Sequence, residues 1–588
     1  TSTPEPTSTA SATSTPEPTA TASATSTPEP TQSAKVECIC TEQCTAANAQ
    51  EGKAAIINPN CPVCAAKDAD LSLCKGTVGM AMSANGPTGG FSVTGGTYGA
   101  DYSFSGEYLN ILTSTPLTIS TGGNKISDCI QIKGSVTANL TISNVNINTA
   151  QASNIDVMES ATLNLTLASS NELRIDSYGS AAVLNVEANA RLNIDGSGSL
   201  SAYNHNTSRA AVIGCGGDET SGIITINGGN IYARSEGLAA GIGSGCDGAS
   251  KEIIINGGTV TAIGGDSGAG IGGGYRNKGA GKITINGGNV TAQGGDDGAG
   301  IGGGVEGTGV DVEITGGRVS ATAGETNRTN GAGAGIGAGT RSSGRSKVTI
   351  TGGNVSATGN TNKSYARAGA GIGGARKAGE VEVYISGLYT AVTAQGGKHA
   401  AGIGCGYDST PGSVTIEGGA TVTATGGYEG AGIGGGEDTS GGNITIRNAT
   451  VKATGGEYCP GIGSGSYSGA TVNISGSTIT AQGGYEGAGI GSGFEGNSTV
   501  NISGSTIAAT GGYESAGIGG GYKADGGSIT IASSQVAAQG GYEGAGIGGG
   551  YNKGGGSITI KSGAVRATGG EYGAGIGGGC YGSGGDVV

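Results

Sequence analysis

The sequence predicts an all-β chain wound as a parallel β-helix solenoid with three short strands per coil, and three observations carry that expectation. First, the phrase Gly-Ala-Gly-Ile-Gly-Gly-Gly returns every 28–36 residues. Its isoleucine stands at Ile242, Ile271, Ile301, Ile336, Ile372, Ile403, Ile433, Ile462, Ile490, Ile518, Ile547 and Ile576, with a degenerate first copy at Ile213. A period of this length marks units that bury their apolar faces only against their neighbours. Second, each repeat holds three pieces with period-2 alternation, as in Ala545-Gly-Ile547, Ile558-Thr-Ile560 and Val565-Arg-Ala567. Third, no piece carries helical periodicity with caps, and the Gly-rich links are too short for helices. Equivalent strands then pair one coil apart, with Ile, Val and Ala stacked inward and glycines at the corners. At about 4.8 Å per coil the thirteen repeats would run roughly 60 Å. The crossover rule for parallel strands favours right-handed winding.

The elements follow in order. Residues 1–35 form a Thr/Ser/Pro-rich linker in which Thr-Ser-Thr-Pro-Glu-Pro recurs three times at a period of 12. It has too little apolar surface to fold, and its spaced prolines favour an extended, O-glycosylation-prone tether. Residues 36–76 hold six of the twelve cysteines: Cys38, Cys40, Cys44, Cys61, Cys64 and Cys74. So many cysteines with almost no core imply a small stapled module. Three disulfides are the first expectation. Zinc is the alternative, because Cys61-Pro-Val-Cys64 has zinc-knuckle spacing while Cys38-Ile-Cys40 is tight for the other half of such a site. Residues 88–205 alternate without the Gly motif (Leu163-Asn-Leu-Thr-Leu167, Leu192-Asn-Ile194) and are expected to give an N-terminal cap and shorter coils. Residues 206–588 are the Gly-rich array. Val587 and Val588 align with Ile558 and Thr559, so the chain stops inside a strand. An open solenoid end templates association, so further coils, a cap or a fibre contact are expected there.

Composition narrows the function classes. With 128 Gly among 588 residues, no Trp and three Phe, a large aromatic core is excluded. Collagen is excluded too, because Gly does not fall at every third position. The net charge of −14 argues against nucleic acid and is compatible with calcium or a cationic surface. No apolar run is long enough for a membrane span, and no signal peptide is visible, as in a mature product.

Two resemblances add to this. The Cys-x-Cys-x3-Cys … Cys-Pro-x-Cys pattern resembles a short module of secreted clostridial proteins. Tyr102-Ser-Phe-Ser-Gly106, Ile142-Ser-Asn-Val-Asn-Ile147, Leu163–Leu167 and Leu192–Leu200 resemble secreted clostridial carbohydrate-binding β-helix proteins. That likeness covers roughly residues 100–235. It implies a right-handed β-helix outside the cell or on its surface that binds an acidic plant polysaccharide such as pectin, with calcium. The Gly-Ala-Gly-Ile-Gly array departs from that family, and no calcium-ligand motif matches.

The candidate binding surface is therefore read from the repeats. Tyr428, Tyr485, Tyr513 and Tyr542 stand five residues before the isoleucine, with Tyr458 and Tyr572 one place later. Four or five after it come Tyr275, Tyr407, Tyr467, Phe494, Tyr522, Tyr551 and Tyr581. Beside the first column run Asp266, Asp296, Asp297, Glu429, Glu457, Glu486, Glu514, Glu543 and Glu571. The motif strand itself is nearly bare backbone, so a glycine floor between aromatic and carboxylate rims is expected. Tyrosines can stack on sugars, and carboxylates can accept from hydroxyls or hold calcium. The competing expectation is that these columns are corner packing in a structural stalk or fibre, or lateral packing on a second solenoid. Outward threonines (Thr225, Thr284, Thr349, Thr415, Thr445, Thr530, Thr559), similar to those of ice-binding solenoids, form a column broken by Asn473 and Asn501. A lyase or hydrolase is the weakest reading, since a repeated surface lacks an asymmetric constellation. His205 and His399, the only histidines, are expected in surface loops. Cys215 and Cys405 are expected inward as small thiols, with Cys246, Cys459 and Cys580 at corners and no disulfide ladder.

Overall fold

A computed structural model describes residues 88–205, 208–324, 331–361 and 367–588, all strand and turn without helix. The linker and the six clustered cysteines lie outside the described residues. Each coil contributes one strand to each of three sheets, as predicted. In one coil these are Ser557–Ile560, Gly563–Thr568 and the two-residue Ile576–Gly577. Every strand of the array pairs in parallel with its equivalent one coil on. Ile433 lies opposite Ile462, Val451 opposite Ile479, and Ile444 opposite Val472. Only the opening is antiparallel: Tyr102–Ser105 and Tyr108–Ile111 form a hairpin, and Ser92–Thr94 runs against Leu117–Ser120. Phe91 and Tyr102 are buried beneath these first strands. At the other end Val587 lies in register with Ile558, as the repeat alignment predicts.

The core is the predicted set of stacked aliphatic columns. Ile462, Ile490 and Ile518 are fully buried, as are Val472, Val500 and Ile531 in the first sheet. A second inward column is polar. Ser477, Ser505 and Ser534 are buried at the turn between the first two sheets, and each hydroxyl accepts the backbone N–H of the coil before. The serine thereby satisfies a turn donor that no ladder reaches. On the outside, amides form ladders: Asn193 donates to Asn164, Asn164 to Asn139, and Asn501 to Asn473. The outward threonine column is interrupted more often than expected, by Ile254, Glu313 and Tyr384 as well as the two asparagines.

The third sheet shows what the Gly motif does. Before the motif its strands are three or four residues long, as in Cys129–Ile132 and Ile155–Val157. With the motif each shrinks to Ile-Gly, because the glycine after the isoleucine leaves the β region, with φ +130° at Gly434 and +146° at Gly463. The chain then turns back, and Ala431 N–H donates to Gly435 C=O at 2.9 Å, closing a narrow loop around Ile433. The expected bare glycine face is therefore not a surface. These glycines are buried, and a Cβ on Gly434 would meet Gly463 O at 1.8 Å. They are glycine because the backbones of successive coils touch.

All six described cysteines, Cys129, Cys215, Cys246, Cys405, Cys459 and Cys580, are free and buried. Burial pushes the Cys459 thiol up to about 12 and the Cys215 thiol up to about 11, so both are inert neutral groups.

Candidate functional site

The aromatic and acidic residues predicted from the sequence gather on the corners flanking the third sheet, but not as uniform columns. Tyr485, Tyr513 and Tyr542 stack ring on ring, with centroids 5.2 and 5.0 Å apart and planes within 2° and 22°. Their faces are covered by one another, while edges and hydroxyls remain open, the rings being 36–49% exposed. At Tyr458 and Tyr572 the Tyr-Glu order is inverted to Glu-Tyr, and the contact becomes edge-on: Tyr428 meets Tyr458 at 79° and Tyr542 meets Tyr572 at 81°. The phenols of Tyr428 and Tyr458 are hydrogen-bonded at 3.2 Å. The inversion also sends Glu457 and Glu571 outward, whereas Glu429, Glu486, Glu514 and Glu543 are half-buried. The acidic column is thus two populations.

The second aromatic column also divides. Phe494, Tyr522 and Tyr551 follow one another, half-buried, with centroids 5.4 and 5.6 Å apart, the first pair tilted at 44° and the second stacked within 12°. Tyr275 and Tyr407 share their place, and Tyr407 is buried beneath Arg367, whose guanidinium lies 4.3 Å from its ring centre. Tyr467 and Tyr581 instead sit one residue on, at the left-handed corner of each coil (φ +59° for both), and are 63% and 84% exposed. From that corner they still meet the ladder edge-on, Tyr467 against Phe494 at 4.9 Å and Tyr581 against Tyr551 at 6.1 Å between ring centres.

Backbone bonds place the glutamate row against the second aromatic row: Tyr522 N–H donates to Glu486 C=O and Tyr551 N–H to Glu514 C=O, both at 2.9 Å. Burial, with Glu514 and Glu457 one coil away on either side, pushes the Glu486 carboxyl up to about 7. Its buried Oε2 has no hydrogen-bond partner among the described residues. Burial and Glu543 raise Glu514 in the same direction. Folded Glu486 therefore keeps its proton above the ordinary value of 4.5, so the folded state binds more protons than the unfolded chain between pH 4.5 and 7. Stability falls as pH rises through that window. Glu486→Gln is expected to raise the melting temperature at pH 8 and leave it nearly unchanged at pH 4.5. Melting curves whose difference does not vary with pH would contradict this.

A glycine floor does exist, one step earlier than the sequence suggests. It is the Gly-Gly pair that precedes each Tyr-Glu or Glu-Tyr, half-exposed at 455–456 and 511–512 and buried at 426–427. Around Gly396, Gly426, Gly427 and Gly456 it forms a groove of about 450 Å³, rimmed by Gln395 on one side and by Lys398 and Tyr428 on the other. Gln395 begins a column with Thr425, Thr454, Gln482, Thr510 and Gln539 in register, one per coil, each ending a strand of the second sheet. A comparable groove on earlier coils is polar, lined by Arg234, Glu236, Asp266 and Asp296.

His399 departs most from expectation. His205 is exposed, but the His399 side chain is only 15% exposed. Its Nδ1 lies 2.5 Å from Glu429 Oε2 and 2.7 Å from Glu437 Oε2. Burial works against its positive charge, but the hydrogen bonds and charges of Glu429 and Glu437 outweigh it and hold the imidazole up at about 9. The same imidazole holds the Glu429 carboxyl below its ordinary range. This is an asymmetric constellation on a repeated surface. The signal lay in the repeat itself: Lys398-His399 replaces Tyr-Glu, and Glu437 stands where the neighbouring Tyr407 stands in its own coil.

Stacked three-strand coils in parallel register define a parallel β-helix repeat protein. Within it, segments 224–246, 253–275, 283–305, 348–376, 383–407, 414–437, 444–466, 472–494, 500–522, 529–551 and 558–580 match the Beta helix repeat family. The repeat occurs in enzymes and in non-enzymes. No curated protein and no solved structure matches the chain. No described helix is long and apolar enough to cross a membrane.

Proposed function

We propose that the chain is a non-catalytic, extracellular polysaccharide-binding protein that holds an extended glycan along the solenoid axis. The observation that carries this reading is the Gly-Gly groove between a Gln/Thr row and the exposed Tyr row. One Gln or Thr per coil offers a polymer a hydrogen-bonding side chain at each rise of about 4.8 Å. The covered ring faces change the binding mode expected from the sequence: hydroxyls and ring edges meet the sugar, and stacking is confined to row ends and to edge-on rings such as Tyr572. Outward Glu457 and Glu571, with Asp266 on the earlier coils, are carboxylates available to sugar hydroxyls or to calcium. The resemblance to pectin-binding proteins suggests the first glycans to try.

Tyr485→Ala with Tyr513→Ala is expected to weaken retention on immobilised plant polysaccharides by roughly tenfold, about 1.4 kcal/mol, with little change in melting temperature. Glycan arrays run with and without chelator identify the sugar and any calcium requirement. The face-to-face stacking favours a second reading, in which the rows are packing elements of a structural stalk. A sharp fall in melting temperature for the double variant, with no glycan retained by the parent chain, would establish that reading instead.

A further inference from the structure

At His399 the Tyr-Glu corner of the later coils is replaced by Lys-His, and its chemistry differs from that of the tyrosine groove. His399, Glu429 and Glu437 come from two successive coils. His399 and Glu429 hold the same repeat position, four residues before the motif isoleucine, and Glu437 follows Ile433 by four. The backbone fixes the frame: Glu437 N–H donates to His399 C=O, and Glu429 N–H to Lys398 C=O, both at 3.0 Å. Two carboxylate oxygens thus converge on one imidazole nitrogen, and all three donor atoms lie within 4.8 Å of one another. Tyr407, buried, sets its ring edge-on to the imidazole at 6.1 Å and limits the ring's rotation. The side chains are 15%, 23% and 25% exposed, enough to leave an approach from solvent.

We propose that His399, Glu429 and Glu437 form a single divalent transition-metal site of the zinc class. One imidazole nitrogen and two carboxylate oxygens are a mixed donor set suited to zinc or manganese, whereas calcium and magnesium select oxygen alone. Three protein ligands leave a position for water or an oxygen of another molecule. The ion takes the place of the imidazole proton between the carboxylates, and ordinary zinc bond lengths require the donors to part by less than about 1 Å. The half-buried ends of Glu429 and Glu437 can supply that movement by side-chain rotation. Among the described residues this is the one group of three such donors, and the other described histidine, His205, is exposed, so one ion is expected at this site. The inference stands apart from the glycan reading, because it uses none of the groove's tyrosines.

The test uses the full chain, stripped with chelator and titrated with zinc chloride in a calorimeter, and with manganese chloride followed by electron paramagnetic resonance. The comparison chain carries His399→Glu and Glu437→Tyr, which restore what neighbouring coils already contain and so should fold. His399→Gln alone is a second, conservative comparison. The parent is expected to bind one more equivalent than either variant, with affinity at that site reduced more than about a hundredfold in both. Subtraction removes any metal held by thiols at 36–76. Equal stoichiometry and affinity in parent and variants overturns the proposal, whether the shared binding is absent or spread over the carboxylate row. In that outcome the imidazole is an ionic staple between coils.

Discussion

Gly434→Ala is expected to cost about 4 kcal/mol or more, enough to unfold the coils around it. The new Cβ would lie 1.8 Å from Gly463 O and 2.9 Å from the Ile444 side chain, at a φ of +130°. Neither obstacle can yield, because the carbonyl belongs to the next coil's ladder and the isoleucine to the core. Overpacking and forced positive φ therefore add. Gly504→Ala is the control. Its φ of +55° is also left-handed, but the nearest atom to a Cβ is Gly476 N at 4.0 Å, so only about 1 kcal/mol is expected. Chemical denaturation of both variants checks the difference. Equal losses would mean that backbone conformation, not contact between coils, dictates the motif glycines.

Ile462→Ala is expected to cost about 2–5 kcal/mol and to split one melting transition into two. The side chain is fully buried, and the narrow loop that holds it, tied to its neighbours through Ile433 and Ile490, has little room to collapse. In a solenoid each unit touches only its neighbours, so a weakened coil uncouples the arrays on either side of it. Thr480→Ala should change stability by less than about 0.5 kcal/mol, since Thr480 is outward and Ala508 already stands opposite it. Calorimetry with resolved transitions for Ile462→Ala, and a single one for Thr480→Ala, is the expected result. A single unchanged transition for Ile462→Ala would remove the nearest-neighbour account.

Much of this surface was legible from the chain, though less of the site than of the fold. Tyr485, Tyr513 and Tyr542 were found because they recur at one repeat position. What recurrence could not show is where a ring's faces point. That depends on the coil rise and on the residue before the turn, which is why Tyr458 and Tyr572 break the stack. Tyr467 and Tyr581 group with Tyr522 by spacing but occupy a left-handed corner, a distinction made by one residue of turn geometry. His399 reads as a loop residue because it stands alone in the sequence. Its partners lie 30 and 38 residues away and meet it only when two coils stack.

The sequence by itself determined the coil. Its period set the unit, alternation set which side chains point inward, and Gly at fixed intervals set the corners, all of them consequences of local backbone chemistry repeated along the chain. Only the tertiary structure decided which glycines are floor and which are covered, which carboxylates are half-buried and raised, and that an imidazole sits between two glutamates. Those properties depend on distances between coils, where a rise of about 4.8 Å brings unlike repeats into contact. No single repeat contains them.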